Sequence, residues 1–501
     1  MTATARLGDR RRVSAYANPA ATAYASVGAA LVLAALIDLT DGGRDALVLG
    51  LVGLASLGIA AVLQRSFRQP RRYQAVQALT VLTVVWVTMI VVGAVALSLT
   101  DIFADQDGSR RWSGALFESV SGFTTTGMTS LPAVEDSSRG VLFFRAASNW
   151  LGGLAAVVSA IAIVPFVTRT RDLVDTDHTR EVAGTLAPTI NRGINNVLKV
   201  YGGFTAVVVV AFVATGIGVF DGLAYGLAVV STGGFSTHSS SLWHEQNAAA
   251  EWVAIIGMLV AGANVAIIWW IIRGAIGTVW RSIELRVYVG FVAGATIATM
   301  IGISGPDDIA VSREAVFAVA SSISTTGLVA FDWWSWGAGA QVGLVLLLAI
   351  GPMSGSTAGG FRLLRVIVLW EVVRRELVRL VFPRAVHVVK LGGQPVADNT
   401  VRSVAGYLIL HLGLILGGAY AVGLFEDGVR RTLVAATSAV STSGLLLGVR
   451  TADELTEGSR MMLLPLMLAG RLAILPLFVS IERAAAATAA MGRRLVGQVR
   501  T

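Results

Sequence analysis

Cysteine is absent from the 501 residues, which excludes disulfides, thiolate metal sites and cysteine nucleophiles. Charge is scarce as well. Asp, Glu, Lys and Arg make up 14% of the chain, against roughly a quarter in soluble domains, so a soluble surface of this size could not be clothed. Only five histidines are present; they lack the spacing of a metal-ligand set, and His238 reads as loop structure. No cluster of His, Asp, Glu and a nucleophile falls inside an apolar stretch, which leaves a membrane enzyme without a catalytic centre. No cleavable signal peptide is expected, because Arg6, Arg10, Arg11 and Arg12 lead into one apolar stretch that a second follows at once.

What the chain has in abundance is apolar residues, 54% of the total. Stretches of about 20 recur from Ala21 onward, each long enough to cross ~30 Å of hydrocarbon. The net charge of +8 would suit a nucleic-acid partner only if it were spread over one surface. The basic residues instead cluster in particular loops, as positive-inside topology requires. No nucleic acid is expected, and the surroundings are membrane lipid.

The expected fold is an all-α membrane protein of about ten transmembrane helices: a leading pair, then four membrane–pore loop–membrane repeats around a central pore. Residues 1–72 hold the basic N-terminal segment and the leading helices Ala21–Leu39 and Ala46–Leu63, closed by Arg65, Arg68, Arg71 and Arg72. The first repeat (73–196) pairs helices Ala75–Leu99 and Gly140–Val167 around a short stretch, Trp112–Ser121, and the signature Thr124-Thr125-Thr126-Gly127. The second (197–283) pairs Val197–Val219 and Glu251–Ile272 around Ser231-Thr232-Gly233-Gly234. The third (284–397) pairs Val287–Ile303 and Gln341–Trp370 around Ser324-Thr325-Thr326-Gly327. The fourth (398–501) pairs Val401–Leu424 and Arg460–Glu482 around Ser441-Thr442-Ser443-Gly444. All four signatures read Ser/Thr, Thr, small, Gly. One such tetrapeptide is common, but four in register between paired apolar helices are not.

Placing the signature loops outside puts most of the Lys and Arg in the cytoplasm, including Arg169, Arg171, Arg180, Arg192, Lys199, Arg273, Arg281, Arg286 and the run from Arg362 to Lys390. The outside loops carry Asp101, Asp105, Asp107, Glu135, Asp136, Asp221, Asp307, Asp308, Glu426 and Asp427. They either enrich cations at the mouth or are ordinary solvated loops.

The stretch before each signature is too short to span, so each must enter the membrane and turn back. Non-helical backbone at that depth has to line a cavity or be buried in protein. Four such turns around one axis can offer carbonyls to a dehydrated cation, with the negative ends of four short helices aimed at it. Glycine permits the positive φ that this requires. No carboxylate lies in the signatures, which argues against a divalent-selective ring. The remaining reading is four polar turns that merely fill the centre.

Gly351–Phe361 holds four glycines and a proline and cannot be unbroken helix. It is expected as an intramembrane loop, and the Gly-Lys-Ser/Thr ending of a phosphate cradle is missing. Arg471 falls mid-helix in the fourth repeat, where a charge costs about 2.5–3.5 kcal/mol on insertion scales and needs a cavity or a partner.

These residues resemble the Trk/Ktr/HKT superfamily of K⁺ transporters, most closely its TrkH-type pore subunits. The matching segments are Ser121–Met128, Gly233–His238, Ser324–Leu328, Ser441–Leu445 and Phe144-Arg145 through Trp150-Leu151-Gly152-Gly153. The resemblance implies that Gly127, Gly234, Gly327 and Gly444 serve K⁺ permeation, K⁺ being the transported ion and no organic cofactor being bound. It implies a gate at Gly355, Ser356, Thr357, Ala358, Gly359 and Gly360, where a passive kink is the alternative. Arg471 is then expected to bond carbonyls near Gly355–Gly359. The acid usual two residues after that arginine is Ala473 here, so a local ion pair is not expected. Arg145 either braces the first loop or snorkels. The resemblance further implies a homodimer, a cytosolic nucleotide-binding regulatory subunit docking on basic segments such as Arg374, Arg375, Arg379 and Arg384, and a place in the plasma membrane. A secondary transporter coupling K⁺ to Na⁺ or H⁺ is the competing class; no Asp or Glu lies convincingly at mid-membrane to carry it.

Overall fold

In hydrocarbon every backbone N–H and C=O must be paired within the protein, which is why each apolar run becomes a helix. The computed structural model describes residues 3–67, 75–104, 106–167, 190–303, 309–384, 388–446 and 451–472. Seven of its helices are long and apolar enough to cross a membrane, and a bent pair, counted as one span, brings the number to eight. The other two expected spans are an interrupted helix in the third repeat and one that starts at Glu457, of which the description ends at Leu472. The only sheet among the described residues is a hairpin, β1 (Lys390–Leu391) with β2 (Gln394–Pro395). This is an all-α membrane protein.

The leading pair is α1 (Ala3–Leu39) and α2 (Ala46–Ser66). They approach closely at Gly28 and Gly53, where a Cβ on Gly28 would stand 2.9 Å from the Gly53 carbonyl; small residues let membrane helices close up this way. Two buried carboxylates fasten the pair to the first repeat. Asp38 accepts from the backbone N–H of Asp45 and of Gly140, at 2.8 and 3.2 Å. Asp45 accepts from the Asp101 N–H at 2.8 Å and the Ser138 hydroxyl at 2.7 Å.

The first repeat is α3 (Ala75–Leu99), α4 (Gly108–Phe123) and α5 (Arg139–Val167). The second is α6 (Ile190–Ala214), α7 (Val219–Val230), α8 (Ala248–Ala261) and α9 (Val265–Ile272), with the short α10 (Ile276–Arg281) behind it. The third is α11 (Ile283–Ile303), α12 (Ile309–Ile323), α13 (Ala338–Ile350) and α14 (Leu363–Val381). The fourth is α15 (Asp398–Gly423), α16 (Val429–Val440) and α17 (Glu457–Arg471). The short helices α4, α7, α12 and α16 have 16, 12, 15 and 12 residues, each less than the ~20 a span needs.

The repeats close into a ring in chain order. α5 packs on α7, α8 on α12, α13 on α16 and α17 on α4. Each seam carries a polar or cation–π contact to the same register of a short helix. Arg139 lies over the Phe220 ring, Glu251 pairs with Arg313 at 2.7 Å, Gln341 accepts from Arg430 at 3.2 Å, and Glu457 accepts from Ser113 at 2.9 Å. Ser113, Phe220, Arg313 and Arg430 stand at one common distance in sequence from their signature glycines.

Several boundaries differ from expectation. α1 runs through Pro19 back to Ala3. In the second repeat α6 spans Ile190–Ala214 in place of Val197–Val219, because Gly216 at φ +92° ends it. The expected single helix Glu251–Ile272 is bent by 102° between α8 and α9. Arg68, Arg71, Arg72, Asp105, Arg169, Arg171, Arg180, Asp307, Asp308, Ala473 and Glu482 lie outside the described residues, as do the side chains of Arg6, Arg10, Arg11, Arg12 and Arg192.

Candidate functional site

Each short helix ends at the residue just before its signature: Phe123, Val230, Ile323 and Val440. The turn that comes next is the same four times. In the first, the Thr125 N–H donates to the Gly122 carbonyl and the Thr126 N–H to Ser121, at 3.0 and 2.9 Å. The paired bonds recur at Thr232 and Gly233, Thr325 and Thr326, and Thr442 and Ser443. This is the Schellman closure, whose left-handed position is normally glycine. Here it is threonine each time: Thr125, Thr232, Thr325 and Thr442 have φ of 55°, 53°, 54° and 52°. A β-branched residue in that region costs about 1–3 kcal/mol. Strain repeated at one register of four loops marks a place where the side chain, and not the cheapest backbone, is required.

Two residues on, Gly127, Gly234, Gly327 and Gly444 also have positive φ, from 73° to 79°. Their surroundings define the centre of the molecule. A Cβ on Gly127 would collide with the Gly233 carbonyl, on Gly234 with that of Thr326, on Gly327 with that of Ser443, and on Gly444 with that of Thr126. The contacts run from repeat one to two, three, four and back to one. The structure therefore brings all four signatures together in one closed ring of backbone. Thr124, Thr125, Thr126, Ser231, Thr232, Ser324, Thr325, Thr326, Ser441, Thr442 and Ser443 are all fully buried in it.

Against this ring lies the loop from Gly351 to Arg362, with positive φ at Gly351, Gly355, Gly360 and Arg362. The Gly359 N–H donates to the Thr325 hydroxyl at 3.1 Å, and Gly359 itself sits against the Ser441 carbonyl so closely that a Cβ would not fit. The Thr357 hydroxyl reaches the Val230 carbonyl at 3.3 Å and meets the Thr232 hydroxyl at 3.4 Å. Ser356, Thr357 and Ala358 are buried. Three of the four signatures thus touch this loop. Its ends are paired: Phe361 and Arg362 donate to Ala349 and Ile350 of α13.

The break in the second repeat meets this loop. Met353 N–H donates to Gly262 at 3.1 Å, and Val265 N–H donates to Gly355 at 3.3 Å. The Asn264 side chain accepts from the Ala266 N–H at 2.9 Å and so caps α9. Two interrupted helices satisfy one another's orphan backbone groups. Asn264 after Gly262 in an apolar run is a helix-start signal in the sequence, and the expectation of an unbroken span overlooked it. A further carboxylate joins them, since Glu284 of α11 accepts from the Ser354 N–H at 2.7 Å.

Arg471 closes the arrangement. Its Nη1 donates to the Thr357 carbonyl at 2.6 Å and Nη2 to the Gly152 carbonyl at 3.3 Å, with the Trp86 ring 5.8 Å from the guanidinium carbon. Beside it in α17, Gly470 lies hard against the Val440 carbonyl, and Gly152 of α5 lies likewise against Phe123. Arginine 471 thus links the fourth repeat, the intramembrane loop and the first repeat.

Arg145 is buried and does not snorkel. Its Nε donates to Glu118 Oε2 at 2.9 Å, both side chains being almost wholly inaccessible. Its guanidinium lies 4.2 Å from the Phe235 ring centre and donates to the Ser236 carbonyl. Glu118 Oε1 in turn accepts from the Thr129 hydroxyl and the Ser130 N–H. One ion pair ties α4, α5 and the stretches after the first two signatures. Glu118 was missed in the sequence because a lone acid on a short amphipathic helix looks like a solvated face. Glu118, Glu251 and Glu284 are buried, and each has a partner.

Outside the ring, burial and the neighbouring His244 hold His238 below the ordinary histidine range, while burial and Asp221 push Glu245 up.

The sequence model of the TrkH family, described as "Cation transport protein", matches residues 51–299 and 307–486. The Trk system potassium uptake protein TrkH of Halomonas elongata is 30% identical over 78% of this chain and 80% of its own length. The corresponding TrkG of Escherichia coli strain K12 is 29% identical over 79% and 82%. The crystal structure of the potassium transporter TrkH from Vibrio parahaemolyticus superposes with a TM-score of 0.83 over 93% of this chain and 98% of that one, at 22% identity. The fold, the matched length and the fourfold repeat lead to one conclusion: this chain belongs to the TrkH family of cation transport proteins.

Proposed function

We propose that the protein carries K⁺ into the cell across the plasma membrane through a gated, channel-like pore whose filter is the four Ser/Thr-Thr-x-Gly loops. The observation that carries this reading is the closed ring in which every signature glycine abuts the carbonyl of the next repeat. Such a ring supplies backbone oxygens at a fixed radius to replace a hydration shell, and the relatives' names supply the ion: they are potassium uptake proteins. The loop from Gly355 to Gly360 is the gate in this reading. Arg471 holds it through Thr357 and places a positive charge on the ion's path. The signature loops face outside. The protein works as a homodimer with a cytosolic nucleotide-binding regulator, which the basic residues of α14 (Arg374, Arg375 and Arg379) are suited to meet.

The test is K⁺ and Na⁺ flux in proteoliposomes, wild type beside Gly127→Ser. K⁺-selective flux that becomes Na⁺-permeable in the variant supports the reading. Robust flux indifferent to the substitution overturns it. A reversal potential that follows the K⁺ gradient alone separates a channel from a transporter coupled to Na⁺ or H⁺.

A further inference from the structure

Beside the ring, three side chains from separate stretches converge. Asp221 belongs to the first turn of α7, His238 comes after the second signature, and Glu245 ends the short helical turn after it. One donor atom from each lies within 4.8 Å of the other two, and all three residues are half-buried. Of the three, His238 also lines the cavity of about 90 Å³ that the four signature glycines border and that Ser239 and Trp243 help to enclose.

The Thr237 hydroxyl donates to Asp221 Oδ1 at 2.7 Å and lies 3.1 Å from His238 Nδ1. In the tautomer that gives both contacts a proton, Nδ1–H of His238 donates to Thr237 and Nε2 keeps its lone pair. The His244 ring stacks on His238 at 3.6 Å and 8°, which fixes the plane of the imidazole. Outer partners that set the tautomer and plane in this manner are what metal-ligating histidines commonly have. Two carboxylates face each other with a half-buried imidazole, and among the described residues no cationic side chain is bonded to either. That leaves negative charge that a divalent ion would neutralise.

We propose that Asp221, His238 and Glu245 form a binding site for a divalent transition-metal ion of the Zn²⁺ class at the outer mouth of the ring. One nitrogen and two carboxylate oxygens, with a water in the fourth position, are an ordinary ligand set for that ion and too nitrogenous for Ca²⁺ or Mg²⁺. Donors in a tetrahedral zinc shell stand about 3.3 Å apart, so modest side-chain adjustment closes the site. Neutralising the two carboxylates there removes negative charge that draws monovalent cations toward the cavity. Occupancy therefore lowers K⁺ flux, a consequence that rests on the proposed function, whereas binding does not.

The experiment uses the full chain purified without a histidine tag in lipid nanodiscs and titrated with Co²⁺ alone, followed by its visible absorption bands, with Zn²⁺ as competitor. One ion per chain is expected, displaced by Zn²⁺. Affinity falls at least tenfold in both His238→Ala and Glu245→Gln, and is kept in His244→Phe, which preserves the stack without a donor. Unchanged elution on gel filtration shows that the variants fold. No binding by the wild type, or equal affinity in His238→Ala and Glu245→Gln, overturns the site. If the site binds yet added Zn²⁺ leaves flux of an active preparation unaltered, the binding assignment stands and the effect on transport is wrong.

Discussion

Arg471 Nη1 donates to the carbonyl of Thr357 at 2.6 Å, across 114 positions of sequence. The same guanidinium reaches Gly152. A loop with four glycines has little local stiffness, and the bond to Thr357 joins those from Glu284, Gly262 and Thr325 in holding it, while the bond to Gly152 ties it to the first repeat. Arginine suits the task because a planar fork can serve two carbonyls at once, whereas a lysine ammonium is a single point donor.

Arg471→Ala is therefore expected to loosen the loop and to raise basal K⁺ flux several-fold, while Arg471→Lys keeps the charge and restores it only in part. Proteoliposome flux without regulator reads the difference. Equal flux in all three proteins would remove Arg471 from the gate.

The four strained threonines are not equivalent. The Thr325 hydroxyl accepts from Gly359, while the buried Thr125 hydroxyl has no partner among the described residues. Replacing Thr125 by glycine relieves a left-handed β-branched residue and should leave thermal stability equal or higher by up to about 1 kcal/mol, whereas Thr325→Gly offsets that relief by leaving the buried Gly359 N–H without its acceptor. Thr325→Gly should also free the loop and change basal flux, whereas Thr125→Gly should alter K⁺ over Na⁺ selectivity first. A clear drop in melting temperature for Thr125→Gly would mean that the strain argument is mistaken.

Glu118 and Arg145 are buried together. Glu118→Gln leaves a buried guanidinium without its counter-charge, which costs about 3–5 kcal/mol. The double variant Glu118→Gln, Arg145→Met should be markedly less destabilised than the two single effects added together. Thermal unfolding of the four proteins in one detergent provides the cycle, and simple additivity would deny the coupling.

Asp45 receives both the Asp101 N–H and the Ser138 hydroxyl. Asp45→Ala leaves the buried Ser138 hydroxyl without its acceptor, at about 1–3 kcal/mol, and frees the part-buried Asp101 N–H. Proteolysis is expected to cut between the leading pair and the first repeat sooner than in wild type, with K⁺ flux retained by the uncut protein. Identical digestion would show that helix packing alone holds the pair.

Much of this protein is determined by sequence alone, because a bilayer allows few alternatives. Apolar runs of span length must be helices, short runs between them must turn back, and four Ser/Thr-Thr-x-Gly segments in register announce a repeated site. Even the loop at Gly351–Phe361 is legible, since proline and four glycines forbid a helix there. The tertiary structure decided what pairing decides. Nothing local says that Gly127 meets the carbonyl of Gly233, that Arg471 reaches both Thr357 and Gly152, or that Glu118 is the counter-ion of Arg145. The bend at Gly262–Asn264 is of the same kind: the helix gives up its own hydrogen bonds there only because Met353 and Gly355 stand ready to replace them. Asp221, His238 and Glu245 carry no spacing signal, because their proximity is set by how the α7 turn and the loop after it fold back on each other. Contacts between residues far apart in the chain depend on which faces the ring brings together, and periodicity within one helix does not encode that.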